Sequence, residues 1–362
     1  MIVSLRTFCF RNLVDCETVI DSNNIFLVGK NGQGKSNFLE AIYFSSYASS
    51  FRTSKDSDII CKDKNSLSVQ AKNNSILDND IIVKLENKKK QILIDGKKTE
   101  SRKSLLSLIS CIVFCHEDME FVTGAPEKRR WFFDQNICLY DPLYLDDLIR
   151  YKKILKSRNL LLKEIREGRN KEVLSVFNPQ LAEYGARLMV KREQEIKHFS
   201  SVFVQAYELI SGVTGIEVKY KKSWNNNDQN EIVKYLELNV ERDLTIGTTM
   251  SGPHRDRYYF IKDGKDFTEI ASTGQKRLLA LLLRIAQTTR YTAVTKNKPI
   301  VLFDDVLLEL DKEKRKIFLS KLPQYEQAFY TFLPDEPFDE YMQDNTKIFY
   351  VNEGRLNDNK SW

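Results

Sequence analysis

Gly29-Lys30-Asn31-Gly32-Gln33-Gly34-Lys35-Ser36 has the residue types and spacing that phosphate chemistry requires: a glycine, four residues, then glycine, lysine and serine. The glycines let backbone N–H groups turn inward around phosphate oxygens, Lys35 reaches the terminal phosphates, and Ser36 offers a hydroxyl to Mg²⁺. Carboxylates suited to the same task stand far downstream, where Ile300-Val301-Leu302-Phe303 runs into Asp304-Asp305. Beside the glycine loop, Asp304 would hold Mg²⁺ through water and Asp305 would polarise an attacking water. The two segments together predict a site for a nucleoside triphosphate and Mg²⁺.

The elements that must position these groups are also legible. Ile25-Phe26-Leu27-Val28 predicts a buried strand feeding the loop, and Asn37 to Ile42 predicts the start of a helix. The first hundred residues read mainly as strands; Ile81–Leu85 and Gln91–Ile94 flank a turn-like Asn87–Lys90, and Asp95-Gly96 supplies another turn. Ser104 to Val113 reads as a well-buried helix or strand. From Pro126 to Ser211 the apolar period turns helical, with a break expected at Asn178-Pro179 and a long amphipathic segment from Leu181 to Phe203. Trp224 to Asn230 reads as an exposed polar loop. The pattern is a helical arm inserted between two sheet-containing halves.

Two more segments carry hydrogen-bonding groups at useful places. Ser272-Thr273-Gly274-Gln275 opens the apolar helix Leu278–Ala286, which reads either as a second anion-binding helix terminus or as an ordinary N-cap. Ser251-Gly252-Pro253-His254-Arg255-Asp256-Arg257 gathers groups that suit a site, an internal relay or a solvated loop.

Lysine and arginine number 56 against 50 acidic residues, a net charge of +6 that excludes a polybasic tail protein and leaves room for a nucleic-acid backbone. Lys88-Lys89-Lys90, Lys97-Lys98, Arg102-Lys103 and Arg129-Arg130 are candidate phosphate contacts, each with a rival reading as a solvated face. With no recognition helix or base-stacking platform in the sequence, non-specific duplex binding is expected. The six cysteines are scattered, which favours buried thiols in a reducing compartment; Cys111, Cys115 and His116 lack a second cluster to complete a zinc site. Met1–Leu5 is followed at once by Arg6, and no apolar run approaches the ~20 residues that span a bilayer. A cytoplasmic protein with no membrane partner is expected.

Taken in order with the phosphate loop, Phe10-Arg11-Asn12, Phe51-Arg52-Thr53, Glu117-Asp118 with Val122–Pro126, Arg129-Arg130 with Phe133-Asp134, Ser251 to Asp256, and Asp304-Asp305 with Glu309-Leu310-Asp311 make a distinctive set. This set resembles the RecF family of DNA replication and repair proteins, ABC-type ATPases related to SMC proteins. The likeness covers essentially the whole chain. It implies an α/β fold, an ABC-type P-loop ATPase head with an additional β-sheet lobe and an inserted helical arm, divided as 1–125 and 236–362 for the head and 126–235 for the arm. It implies that Gly29 to Ser36 is the Walker A loop for ATP, that Asp304 is the Walker B magnesium acid, and that Asp305 stands where most of the superfamily has a catalytic glutamate. Ser272, Gly274 and Gln275 match the signature that contacts the γ-phosphate held by the opposite subunit, and Glu309-Leu310-Asp311 matches the D-loop.

The resemblance further implies an ATP-dependent homodimer that binds double-stranded or gapped DNA. It implies RecR-like and RecO-like mediators, loading of a RecA-like recombinase, a link to the SOS response, and slow DNA-dependent ATP hydrolysis that resets the dimer. The chain departs from the pattern at Leu308 before the D-loop, at Arg257, at His116, and in having no switch histidine around Tyr330-Thr331-Phe332. The competing expectation is another ABC/SMC-related ATPase acting as a nucleotide-gated assembly subunit. The arm is too short for the long coiled coil many such proteins carry.

Overall fold

Strand Asn24–Val28 is buried at every position, as a strand must be when both faces of its sheet are covered. Cys111–Phe114, Ile300–Phe303 and Gln327–Phe332 are buried throughout in the same way. Together they form a sheet in the order Arg355–Asn357, Thr346–Asn352, Asn24–Val28, Gln327–Phe332, Ile300–Phe303, Cys111–Phe114. Every pairing is parallel except the hairpin at the Arg355–Asn357 edge. Parallel strands deliver their C-terminal ends to one edge, so the phosphate loop after Val28 and the carboxylates after Phe303 share a rim.

Residues 1–74, 79–99, 103–168, 170–307 and 310–359 are described in this computed structural model. The chain divides into two compact units: residues 1–118 with 296–362, and residues 119–295. Residues 119–125 and 236–295, grouped with the head in the sequence reading, pack in the second of these units.

In the first unit an antiparallel sheet runs Cys16–Val19, Ile2–Phe8, Ser66–Asn73, Asn79–Glu86, Lys89–Ile94, Lys97–Thr99. Its strands alternate buried and less buried positions, as in Ser66–Asn73 and Asn79–Glu86, the signature of a sheet with one covered face. Helix Lys35–Tyr47 is buried nearly all round because it shares one core with both sheets: Phe38, Leu39 and Ile42 pack with Ile25 and Leu302 and with Val69 and Val83. The expected turn after Glu86 is confined to Asn87-Lys88, both at positive φ, and Lys89 already begins the next strand. Ser104 to Val113 contains both elements in succession, helix Lys103–Leu108 and strand Cys111–Phe114.

The second unit is helical around a small sheet ordered Lys265–Asp266, Arg257–Lys262, Ile216–Lys221. Pro126–Cys138 and Pro142–Arg166 both carry proline in the first turn, where its missing N–H costs nothing. The break expected at Asn178-Pro179 does not occur. Helix Leu174–Ser211 runs for 38 residues with Pro179 inside it. The proline falls early in the helix, and the buried Asn178 side chain takes a 2.9 Å hydrogen bond from Arg158 that ties this turn down. Trp224 is buried, not exposed; its indole N–H donates to Ser251 Oγ at 3.0 Å and its ring joins a core with Tyr151 and Leu181. The asparagine run beside it dominated its apparent polarity. Asp228 ends that run by capping helix Gln229–Leu238. Among the described residues, no helix is long and apolar enough to cross a membrane.

Candidate nucleotide site

Gly34 takes φ 116°, a conformation open to glycine, and is the N-cap of helix Lys35–Tyr47. The loop thus presents the helix N-terminus, with its unpaired N–H groups and partial positive charge, at the sheet rim. Lys35 is 4% exposed, and its ammonium donates to the Gly29 carbonyl at 2.7 Å and the Lys30 carbonyl at 3.2 Å. Burial pulls its pKa down, while the charges of Asp305, Asp304 and Glu336 oppose that shift. A cation held on two carbonyls of its own loop is ready to exchange them for phosphate oxygens.

Ser36 Oγ donates to Asp304 Oδ1 at 2.6 Å, which joins the two ends of the sequence pattern. Burial pushes the Asp304 carboxyl up to about 6, with the Ser36 hydrogen bond opposing and the Asp305 charge adding. Asp305 sits at φ 56° and is pinned by Thr331, whose hydroxyl accepts the Asp305 N–H at 2.9 Å and donates to Asp305 Oδ1 at 2.8 Å.

The short family-like motifs turn out to brace this loop. Arg11 makes a two-pronged ion pair with Glu40, both contacts 2.9 Å, and Arg52 lies 3.7 Å from the same carboxylate. Glu40 is fully buried in the helix that leaves the loop; Ser50 also donates to it. Asn12 Nδ2 donates to the Gly32 carbonyl at 3.1 Å, and Asn37 Nδ2 donates to Asn12 Oδ1 at 2.7 Å. Gln33 is engaged by the edge hairpin: the Glu353 N–H donates to its side-chain oxygen at 2.6 Å and the Gly354 N–H to its carbonyl at 2.9 Å. Neither Glu40 nor the hairpin was singled out in the sequence. The signal for Glu40 was a lone acid in the apolar stretch Phe38-Leu39-Glu40-Ala41-Ile42.

Residues 1–357 match the family model of the RecF/RecN/SMC N terminal domain. The chain is 40% identical over 347 residues to the DNA replication and repair protein RecF of Treponema pallidum, covering 95% of this chain and 97% of that one. The chain belongs to the RecF family. The Leptospira interrogans protein of the same name is 32% identical over 357 residues, covering 96% of each chain. A solved structure of the recombination mediator protein RecF with ATP, from the RecFOR pathway, superposes with TM-score 0.90 at 30% identity, covering 98% of this chain and 96% of that one. An Smc head from Pyrococcus furiosus shares the fold at TM-score 0.55 and 18% identity, covering 98% and 94%. The α/β ABC-type head with its extra sheet lobe and inserted helices is the architecture of this family.

Within RecF terms, the signature-like segment lies in the second unit. Ser272 N–H donates to Gln275 Oε1 at 2.8 Å and Gln275 N–H donates to Ser272 Oγ at 3.3 Å, a reciprocal capping box at the start of helix Thr273–Thr295. Ser272 and Gly274 are exposed, and nothing lies within 4 Å of where a Gly274 side chain would begin. Of the D-loop segment, Leu308 and Glu309 lie outside the described residues; Asp311 caps helix Lys312–Ser320.

Ser251 to Arg257 forms an internal brace. Asp256 is fully buried and accepts from Arg192 at 2.8 Å, from the Ser223 N–H at 2.8 Å and from Tyr220. Arg192 also grips Asp134 at 2.9 Å through two nitrogens. Arg129 donates to the Val122 and Tyr258 carbonyls at 2.6 and 3.0 Å, and Arg130 to the Asp256 carbonyl at 2.9 Å, so both hold this unit together. Lys90 pairs with Asp56 at 2.5 Å, whereas Lys88, Lys89, Lys97 and Lys98 are exposed. Arg102 and the Lys103 side chain lie outside the described residues.

Proposed function

We propose that this protein is an ATP-gated DNA clamp of recombinational repair and replication in the cytoplasm. What carries the reading is the meeting of Lys35, Ser36 and Asp304 at one rim of a parallel sheet, with Ser36 and Asp304 2.6 Å apart. Their hard oxygens suit Mg²⁺: Ser36 would ligate it directly and Asp304 through water, and the ion would neutralise charge on the β- and γ-phosphates. The Gly29–Ser36 loop would enclose the triphosphate through Lys30, Asn31, Gly32, Gln33 and Gly34 backbone groups, with Lys35 on its terminal oxygens.

Two chains would close over two nucleotides, Ser272, Gly274 and Gln275 of each reaching the γ-phosphate bound by the other. For that, the Ser272–Gln275 capping box must open or turn its N–H groups to the phosphate. The functional division we keep is head residues 1–125 and 236–362 around arm 126–235. The closed dimer would hold duplex or gapped DNA, engage RecR-like and RecO-like mediators and promote loading of a RecA-like recombinase. Slow hydrolysis polarised by Asp305 removes the γ-phosphate contacts and resets the clamp. The ATP-bound relatives support nucleotide binding, and the names of the curated relatives support the repair setting.

Solution mass tests this. With ATP–Mg²⁺, the Asp305→Asn variant should double in mass and retain a short gapped duplex. A protein that binds ATP yet stays monomeric and ignores DNA refutes the clamp.

A further inference from the structure

Strand Gln327–Phe332 lies between the strand that feeds the phosphate loop and the strand that ends in Asp304-Asp305. Hydrogen bonds fasten it to both: Gly29 N–H to the Phe332 carbonyl at 3.1 Å, and Asp305 N–H to Thr331 Oγ1 at 2.9 Å. The chain leaving Phe332 therefore emerges between the loop and the carboxylates. It turns at once, with Glu336 N–H on the Leu333 carbonyl at 3.2 Å.

Glu336 Oε2 is buried without a hydrogen-bond partner. Burial first, and then the Asp305 charge, raise its carboxyl, while a hydrogen bond from the Leu333 backbone and the charges of Lys35 and Arg315 oppose that shift. Arg315 does not satisfy it: its Nη1 donates to Tyr341 Oη at 2.7 Å, its Nη2 to the Leu310 carbonyl at 3.0 Å, and its Nε is itself unpartnered. An acceptor left unpaired away from water is costly and calls for an explanation. Asp305, meanwhile, is a short side chain on a fixed backbone with Oδ1 already taken by Thr331.

We propose that Glu336 is a second carboxylate of the hydrolytic centre, sharing with Asp305 the orientation of the water that attacks the γ-phosphate. This rests on the ATP-hydrolysing reading given above. In the step it serves, the water oxygen bonds to the γ-phosphorus and the bond to the β,γ-bridging oxygen breaks. The electron pair of that bond leaves with ADP, and the water proton passes to the carboxylate pair. Asp305 has only Oδ2 free of the Thr331 contact for that water, and Glu336 would approach from the neighbouring strand end.

The test uses the full chain with Glu336→Gln and Glu336→Ala, titrated with a fluorescent ATP analogue and followed through single-turnover ATP hydrolysis. Nucleotide Kd should stay within about threefold while hydrolysis slows roughly tenfold or more in both variants. A Glu336→Gln rate within about twofold of the parent overturns the proposal, as does a Kd that weakens in step with the rate, the result expected of a mere electrostatic support for Lys35. A parent protein that binds no ATP overturns the reading of the whole site. A parent that hydrolyses ATP with Glu336 indifferent overturns this proposal alone.

Discussion

The two units each hold a dense cluster of charged groups, and the clusters are built on opposite principles. Around Arg192 the carboxylates of Asp134 and Asp256 share its guanidinium and accept from Tyr144 and Tyr220 in a network shielded from water, and the neutral Tyr258 hydroxyl beside them is buried without a hydrogen-bond partner. At the phosphate loop, Lys35 rests on carbonyls it can give up, burial pushes the Asp304 carboxyl up to about 6, and Glu336 keeps an unpaired oxygen. A carboxylate paired with a cation inside the fold specifies a packing; a cation resting on exchangeable carbonyls beside carboxylates can take up a ligand. Both clusters come from segments that look equally rich in the sequence, so partner accounting, not motif density, separates support from site.

The most drastic way to break this contrast is Arg192→Ala. It strands two buried carboxylates, and unpairing of that kind costs about 3–5 kcal/mol. Urea unfolding should register the loss; a change under about 1 kcal/mol would mean the network is no strut.

Next comes acid. His254 Nε2 faces the Thr249 carbonyl at 2.9 Å, so it carries the proton, and Nδ1 accepts from Tyr151 Oη at 2.7 Å. Burial takes its pKa down to about 4, Thr249 opposing and the charges of Arg255, Arg130 and Arg192 adding. The unfolded imidazole binds its proton near 6.5. Below that value the unfolded state holds more protons than the folded one, so this contribution is present above pH 6.5 and is lost as pH falls towards 4. It amounts to about 3 kcal/mol. Melts at pH 7 and 4.5 should show the loss, and His254→Gln should flatten it.

The sequence made the phosphate site legible because its chemistry is local. Eight consecutive residues and one strand-ending acid pair make up the candidate site, and Ser36 and Asp304 are in hydrogen-bond contact. Strand alternation and the helical arm were legible for the same reason, each being a short-period pattern. What escaped depends on contacts between distant segments. Pro179 was misread because local propensity cannot see Arg158 holding Asn178. Trp224 was misread because its burial comes from packing with residues such as Tyr151 and Leu181. Glu336 stands between two prolines in Leu333-Pro334-Asp335-Glu336-Pro337 and resembles a surface turn; only sheet order brings the chain that carries it out between loop and acids.

On the poised side of the comparison, Lys35→Ala removes the cation while leaving both carbonyls able to find water. ATP affinity should fall about 10- to 150-fold, the worth of a charge-assisted hydrogen bond of ~1.5–3 kcal/mol. Equilibrium titration of nucleotide measures it. Fold stability should hold or rise, since a buried ammonium is relieved, and a marked fall in stability would move Lys35 to the structural side of the contrast.

The finest test asks whether the poised site depends on braces of its own. Gly354 turns the edge hairpin at φ 78°, and a side chain there would begin 2.0 Å from the Asn12 carbonyl oxygen. Its N–H holds the Gln33 carbonyl and its carbonyl takes the Val14 N–H at 3.0 Å, so the turn can neither twist nor withdraw without releasing the phosphate loop. Gly354→Ala should cost about 1–3 kcal/mol of stability through backbone strain. If the hairpin sets the loop's shape, ATP affinity should fall too, at temperatures where the variant remains folded. Lost stability with unchanged affinity would confine the hairpin to the sheet edge, and would leave the Asn12, Asn37 and Glu40 contacts as the braces that hold Lys35 ready.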